Sequence, residues 1–122
     1  MTPPQDLFVV EETPSAIVAA PLRDVGPERM AAAGDWLDRF TRFLEQSGKR
    51  HVVVDFRHAP YFGSNLLSVL LRLWHRVREL GGKMVLCNLQ AADLRMLEAT
   101  HLQALWSTTA TLTEALDRLE ND

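Results

Sequence analysis

The sequence predicts an α/β domain: a mixed, mostly parallel sheet with one antiparallel N-terminal strand, flanked by about four helices. Three observations carry this. Helix-period and strand-like segments alternate along most of the chain. The runs "HVVVDF" (51–56) and "KMVLCNL" (83–89) are continuously apolar at their centres, as strands covered on both faces must be. The first two strand-like runs are joined directly across "ETPS", as in a hairpin.

Taken in order, 7–12 and 15–22 are runs rich in Val, Ile and Ala, turned at Pro14 and Ser15. A loop comes next at Asp24, Gly26 and Pro27, and Pro27 suits a first helical turn. Met30, Ala33, Trp36, Leu37, Phe40, Phe43 and Leu44 recur at helical spacing until Gly48 stops them. After the strand at 51–56, "RHAP" is a turn, since Pro60 disfavours helix at the residue before it. A second helix runs from Asn65 through Leu66, Leu67, Leu70, Leu73, Trp74, Val77 and Leu80 to the stop at Gly81 and Gly82. The strand at 83–89, a short helix at 90–100, a last strand within "LQALWST" (102–108) and a terminal helix at 111–120 complete the chain. Thr111 and Glu114 have capping-box spacing. One domain over residues 1–122, frayed at its ends, is the expected organisation.

Composition narrows the function. The 122 residues are 47% apolar and 24% charged, with a net charge of −3 and no block of like charge, so nucleic-acid binding through a basic face is not expected. The single cysteine, Cys87, cannot form an intrachain disulfide, which points to a reducing, cytoplasmic setting. "MTPPQDLFVVEE" has no signal-peptide pattern, and no apolar run approaches the roughly 20 residues of a membrane span. His51, His58, His75 and His101 lack ligand spacing, so neither a metal nor a cofactor is expected. Trp36, Trp74 and Trp106 lie on apolar stripes or strands and read as core, and Cys87 as a buried, inert thiol.

Chemistry concentrates in "YFGSNLLSVLL" (61–71), where Ser64 joins a strand to a helix. Loops at the carboxyl ends of strands in an open α/β sheet are where ligands and partners meet the fold. A helix N-terminus adds unpaired amides and a partial positive charge. Ser64 there reads as a helix cap, a nucleophile, the mouth of an anion site or a modification site. The nucleophile reading fails, because Phe62 and Leu66 occupy the glycine positions of Gly-x-Ser-x-Gly. A phosphate-binding P-loop also fails, because Gly81-Gly82-Lys83 leads into a strand. No catalytic residue is left, and an enzyme is not expected. Ser68 and Arg72 continue the face that starts at Ser64; with His75, Arg76 and Glu79 they otherwise read as a solvated helix face. Asp24 and Gly26 reach the same end of the sheet only by fold analogy.

"HVVVDFRHAPYFGSNLLSVLLRLWHRVRELGGKMVLCNL", with the order of elements, resembles the STAS domain family of bacterial anti-sigma factor antagonists. Members of that family read "VVVDLS", a short turn, "F-x-D-S-S-G-L", a long helix, "GG" and an apolar strand ending near a cysteine. Asp55 falls on the acidic residue ending the central strand, and Ser64 on the serine that an anti-sigma kinase phosphorylates. Gly81 and Gly82 match the glycine pair after the long helix, Cys87 matches the strand-end cysteine, and "ATHLQALW" resembles the segment before the last strand. Three motif positions differ: Gly63 replaces the aspartate, Asn65 the second serine and Leu66 the glycine. The resemblance implies a regulatory interaction module in transcription control, binding an anti-sigma factor or GHKL-type serine kinase and switched by phosphorylation of Ser64. Asp24, Asp55, Gly63, Asn65, Ser68 and Arg72 are then the partner- or anion-contacting positions. The residues alone keep two alternatives open: a small-anion or nucleotide module using the amides of 63–65, or an unphosphorylated scaffold.

Overall fold

The computed structural model describes residues 3–5, 7–22, 31–58 and 63–121. Strands β1 (Phe8–Glu12) and β2 (Ile17–Pro21) form the antiparallel pair, with Phe8 opposite Pro21 and Glu12 opposite Ile17. Their turn is clasped by Thr13, whose hydroxyl donates to the Ala16 carbonyl at 2.7 Å and accepts from the Ala16 amide at 3.1 Å. Strands β3 (Val52–Asp55), β4 (Met84–Cys87) and β5 (Ser107–Thr109) add in parallel, and the sheet runs β1-β2-β3-β4-β5. Helices α1 (Ala33–Ser47), α2 (Ser64–Glu79), α3 (Ala91–Ala99) and α4 (Leu112–Glu120) alternate with these strands. The α/β class, the mixed sheet and its antiparallel first strand are as expected.

Side chains of a strand alternate between faces, so consecutive valines must find two cores. Val52 and Val54 pack with Trp36, Phe40, Leu70 and Leu73 of α1 and α2, whereas Val53 packs with Val85, Cys87 and the α4 residues Ala115 and Leu119. All of these are essentially fully buried, and each large aliphatic side chain removed from water in this way contributes about 1.5–3 kcal/mol. Trp36 anchors the larger core, stacked between Phe8 and Phe40 at centroid distances of 4.7 and 4.8 Å. Its indole N–H donates to the Pro4 carbonyl at 3.3 Å. Gln5 then lays its amide along the edge strand, accepting from the Val10 N–H at 2.8 Å and donating to the Val10 carbonyl at 3.1 Å. Gln5 thereby covers backbone groups of Val10 that an open sheet edge would expose.

Two boundaries differ from the expectation. The last strand expected within 102–108 is present only at the end of that segment: Leu102–Ala104 forms a single 3-10 turn, and Ser107–Thr109 joins the sheet. "LQAL" lacks the β-branched residues that suit a pleated surface, and His101 at φ 61° turns the chain before pairing can start. The strand at 83–89 stops at Cys87 because Asn88 enters the left-handed region at φ 59°, a conformation asparagine tolerates. At α4, Thr111 accepts from the Glu114 amide at 3.2 Å, the hydroxyl half of the expected capping box. The carboxylate half appears one helix earlier, where buried Asp93 accepts from the Gln90 amide at 3.1 Å. Among the described residues no helix is long and apolar enough to cross a membrane.

Candidate functional site

The joint between β3 and α2 is built from Asp55 outward. Asp55 ends β3 opposite Cys87 and is fully buried. Its Oδ1 accepts from the Arg57 amide at 3.0 Å and from the Asn88 side-chain amide at 2.8 Å, so one carboxylate ties the ends of β3 and β4 together. The Arg57 Nε lies 3.1 Å from Oδ2, an ion-pair distance, but off the axis for a hydrogen bond. Arg57 also reaches Glu11 at 3.8 Å, across the sheet face. Burial, reinforced by the Asp55 charge and a hydrogen bond to it, pushes the Cys87 thiol up from 9.0 to about 12. Cys87 is therefore the inert thiol expected, and among the described residues buried Asp55 is linked towards the surface through Arg57 and Asn88.

Helix α2 begins at Ser64. Gly63 holds the N-cap position at φ −86°, ψ 174°, and its carbonyl accepts from the Leu67 amide at 3.0 Å. The cap reading of Ser64 is thereby corrected: Ser64 is the first helical residue, one position too late to cap. Its hydroxyl makes no hydrogen bond to any described residue, and the side chain is exposed. The helix offers no acceptors to the amides of Ser64, Asn65 and Leu66, and the first turn carries no acidic residue.

Ser64, Ser68 and Arg72 are all exposed at successive four-residue intervals, forming one stripe about 12 Å long. Asn65 is exposed beside its start. Arg72 leans over α1, where a Cβ at Gly34 would stand 3.3 Å from its guanidinium. Arg76 leaves the solvated face expected for it, pairing with Asp38 at 2.9 Å and donating to Thr41 at 3.1 Å, which fixes α2 on α1. Trp74, expected as core, is only half-buried, with the Arg78 guanidinium 4.7 Å above its ring. Asp24, Gly26 and Pro27 lie outside the described residues, as do Pro60, Tyr61 and Phe62.

The structure thus brings Gly63, Ser64, Asn65, Ser68 and Arg72 to one surface and sets Asp55 beneath the strand end before it. Sequence reasoning passed over three residues. Asn88 was signalled by an asparagine directly after an apolar run, Arg57 by its place two residues after Asp55, where an aspartate side chain accepts a backbone amide, and Gly34 by a lone glycine in a helical pattern. No cluster of histidine, cysteine and carboxylates among the described residues is arranged to hold a metal.

With this geometry established, comparison with known proteins places the chain in a family. The model of the STAS domain matches residues 10–115, and the chain belongs to that family. Among similar solved structures is an anti-sigma-factor antagonist (STAS) domain protein from Planctomyces limnophilus, 22% identical, TM-score 0.75, covering 93% of this chain and 97% of that one. The TM1081 protein of Thermotoga maritima is 18% identical, with a TM-score of 0.77 over 93% and 94% of the two chains. The Bacillus cell-fate determinant SpoIIAA in its phosphorylated form is 16% identical, with a TM-score of 0.67 over 92% and 98%. At these identities the likeness is one of fold.

Proposed function

We propose that the chain is a cytoplasmic anti-sigma factor antagonist: a non-enzymatic module that binds an anti-sigma factor or GHKL-type serine kinase and is switched by phosphorylation of Ser64. The observation that carries this reading is Ser64 itself, exposed, outside the cap position and unbonded to any described residue at the start of α2. A kinase needs such a hydroxyl, free to be presented. Gly63, Asn65, Ser68 and Arg72 supply the surrounding contact surface, and Asp24 belongs to it by family resemblance. Phosphorylation adds about −1.5 to −2 charges and three strong acceptors. Within the domain these meet the unpaired amides of α2; against a closely packed partner they meet desolvation and repulsion, so the partner is released without refolding.

The topology favours a surface function over an enclosed ligand. Strand order equals sequence order, so the sheet has no point where the winding reverses and opens a crevice. The test is incubation with a GHKL-type serine kinase and ATP, then peptide mass spectrometry and binding measurements. The reading expects phosphate on Ser64, none on Ser64→Ala, and at least about tenfold weaker kinase binding by Ser64→Glu. Phosphate on another residue only, or equal affinity of wild type and Ser64→Glu, would defeat it.

A further inference from the structure

The opposite end of α2 holds a second, chemically distinct surface. At the N-terminal ends of β4 and β5 an open cleft of about 360 Å³ lies between the C-terminal halves of α2 and α4. Its floor is apolar, with Met84 buried, Trp74 half-buried and Leu105 40% exposed. Its rim is cationic: Arg78, Lys83 and Arg118 line it, and among the described residues no carboxylate does. Arg78 stacks on Trp74 and Arg118 donates to the Thr108 carbonyl at 3.3 Å, while neither guanidinium is paired with a carboxylate among the described residues. In a chain of net charge −3, three cations gathered around half-buried Trp74 and exposed Leu105 are a local inversion. Ser64 and Arg78 are 14 positions apart, so this surface lies about 21 Å along the helix from the first.

We infer that this cleft docks an acidic segment of a partner protein, an apolar side chain seated on Trp74 and Leu105 and flanking carboxylates on Arg78 and Arg118. Charge complementarity selects the occupant, since desolvated guanidinium groups at an interface need carboxylates opposite them. The composition is that of an interface centre, where Trp and Arg concentrate binding energy. The cleft is separate from Ser64, so a partner held here stays bound whatever the state of the serine. The domain then has two docking faces at the two ends of one helix.

The test is an NMR titration of the full chain with a synthetic twelve-residue peptide of glutamates around a central Leu-Trp pair. The inference expects saturable, salt-sensitive shifts at the Trp74 indole and at the Met84, Leu105 and Ser107 amides, with the Ser64 region silent. Replacing the central pair by serines, or introducing Arg78→Glu with Arg118→Glu, should weaken binding by about tenfold or more. These arginines are exposed, and a thermal melt of the double variant confirms that it folds. Leu105→Ser is an independent check, expected to weaken binding while Ser64→Glu leaves it unchanged. Shifts centred on Ser64, no saturation, or equal binding of a lysine counterpart of the peptide would overturn the inference. So would tighter binding of 2-naphthoate than of the peptide at the same residues, which would make the cleft a small-molecule site.

Discussion

The adjacent glycines that close α2 are predicted to fail in different ways and by different amounts. Gly81 has φ 78°, and a Cβ there would meet nothing within 4 Å. Alanine at this position suffers only from a left-handed backbone, which costs about 1–2 kcal/mol, and asparagine loses less. Gly82 has no such dihedral, but a Cβ would lie 1.9 Å from the Arg50 carbonyl oxygen, 2.6 Å from its carbon and 3.2 Å from Val77 Cγ1. Two of these are backbone atoms and cannot swing away. Reaching even 3.0 Å from that oxygen moves backbone by about 1.1 Å. That movement falls on the entry to β3 and β4, where the Val52 amide donates to the Lys83 carbonyl and the Lys83 amide to His51 Nδ1, both at 3.0 Å. Overpacking costs about 1–3 kcal/mol and each lost hydrogen bond about 1 kcal/mol, so Gly82→Ala should lose about 3–5 kcal/mol. Urea unfolding of the wild type, Gly81→Ala, Gly81→Asn and Gly82→Ala measures this directly. A Gly82→Ala loss below about 1 kcal/mol, or one no larger than that of Gly81→Ala, would refute the close approach of the two backbones.

Three further outcomes are expected. Ser64→Glu places a carboxylate on a helix N-terminus that has no acid in its first turn, so thermal melts should show it stabilised by a few tenths to about 1 kcal/mol at low salt, fading in high salt. Asp55→Ala leaves the Asn88 amide and the Arg57 N–H without their buried acceptor and should cost about 2–4 kcal/mol in denaturant unfolding, with Asp55→Asn costing less. Cys87 is protonated up to about pH 12 in the folded chain but ionises from 9.0 when unfolded. Its contribution to stability is therefore complete below pH 9 and declines as pH rises towards 12. The stability difference between wild type and Cys87→Ala should shrink over that window and stay flat from about pH 6 to 8, as parallel urea titrations can show.

Most of the fold was legible because burial on two faces leaves its mark on composition. "HVVVDF" and "KMVL" could be nothing but central strands, and the stripe from Trp36 to Leu44 could only be a helix facing them. The illegible parts depend on contacts between segments far apart in the chain. The limit of the last strand is set by the left-handed turn at His101 and by pairing to β4, neither of which shows in "LQALWST". Arg76 reads as a surface cation until α1 brings Asp38 and Thr41 beside it. The cap position failed for a local reason: Gly63 and Ser64 are both acceptable N-caps, and one residue separates a bound hydroxyl from a free one. That residue decides the chemistry available at the joint.

The replacement of an acidic residue by Gly63 bears on how the proposed switch would divide its energy. An acid at the N-cap would already satisfy the amides of the first turn, and a phosphate arriving beside it would meet like charge. Here the first turn carries no acid, and the amides of Ser64, Asn65 and Leu66 have no helical acceptors. A phosphoryl group on Ser64 would therefore be accommodated by the domain itself through charge-assisted hydrogen bonds. The unmodified serine contributes little to folding, so neither state is expected to unfold the chain. All of the discrimination then falls on the partner's surface, which must tolerate a hydroxyl and reject a dianion. A switch arranged this way should show phosphorylated and unphosphorylated forms with the same backbone conformation beyond α2's first turn and widely different partner affinities. Comparing amide hydrogen exchange of the two forms is decisive: protection changes spreading into β3 or α1 would mean that the phosphate acts by refolding the domain, not by charge at its surface.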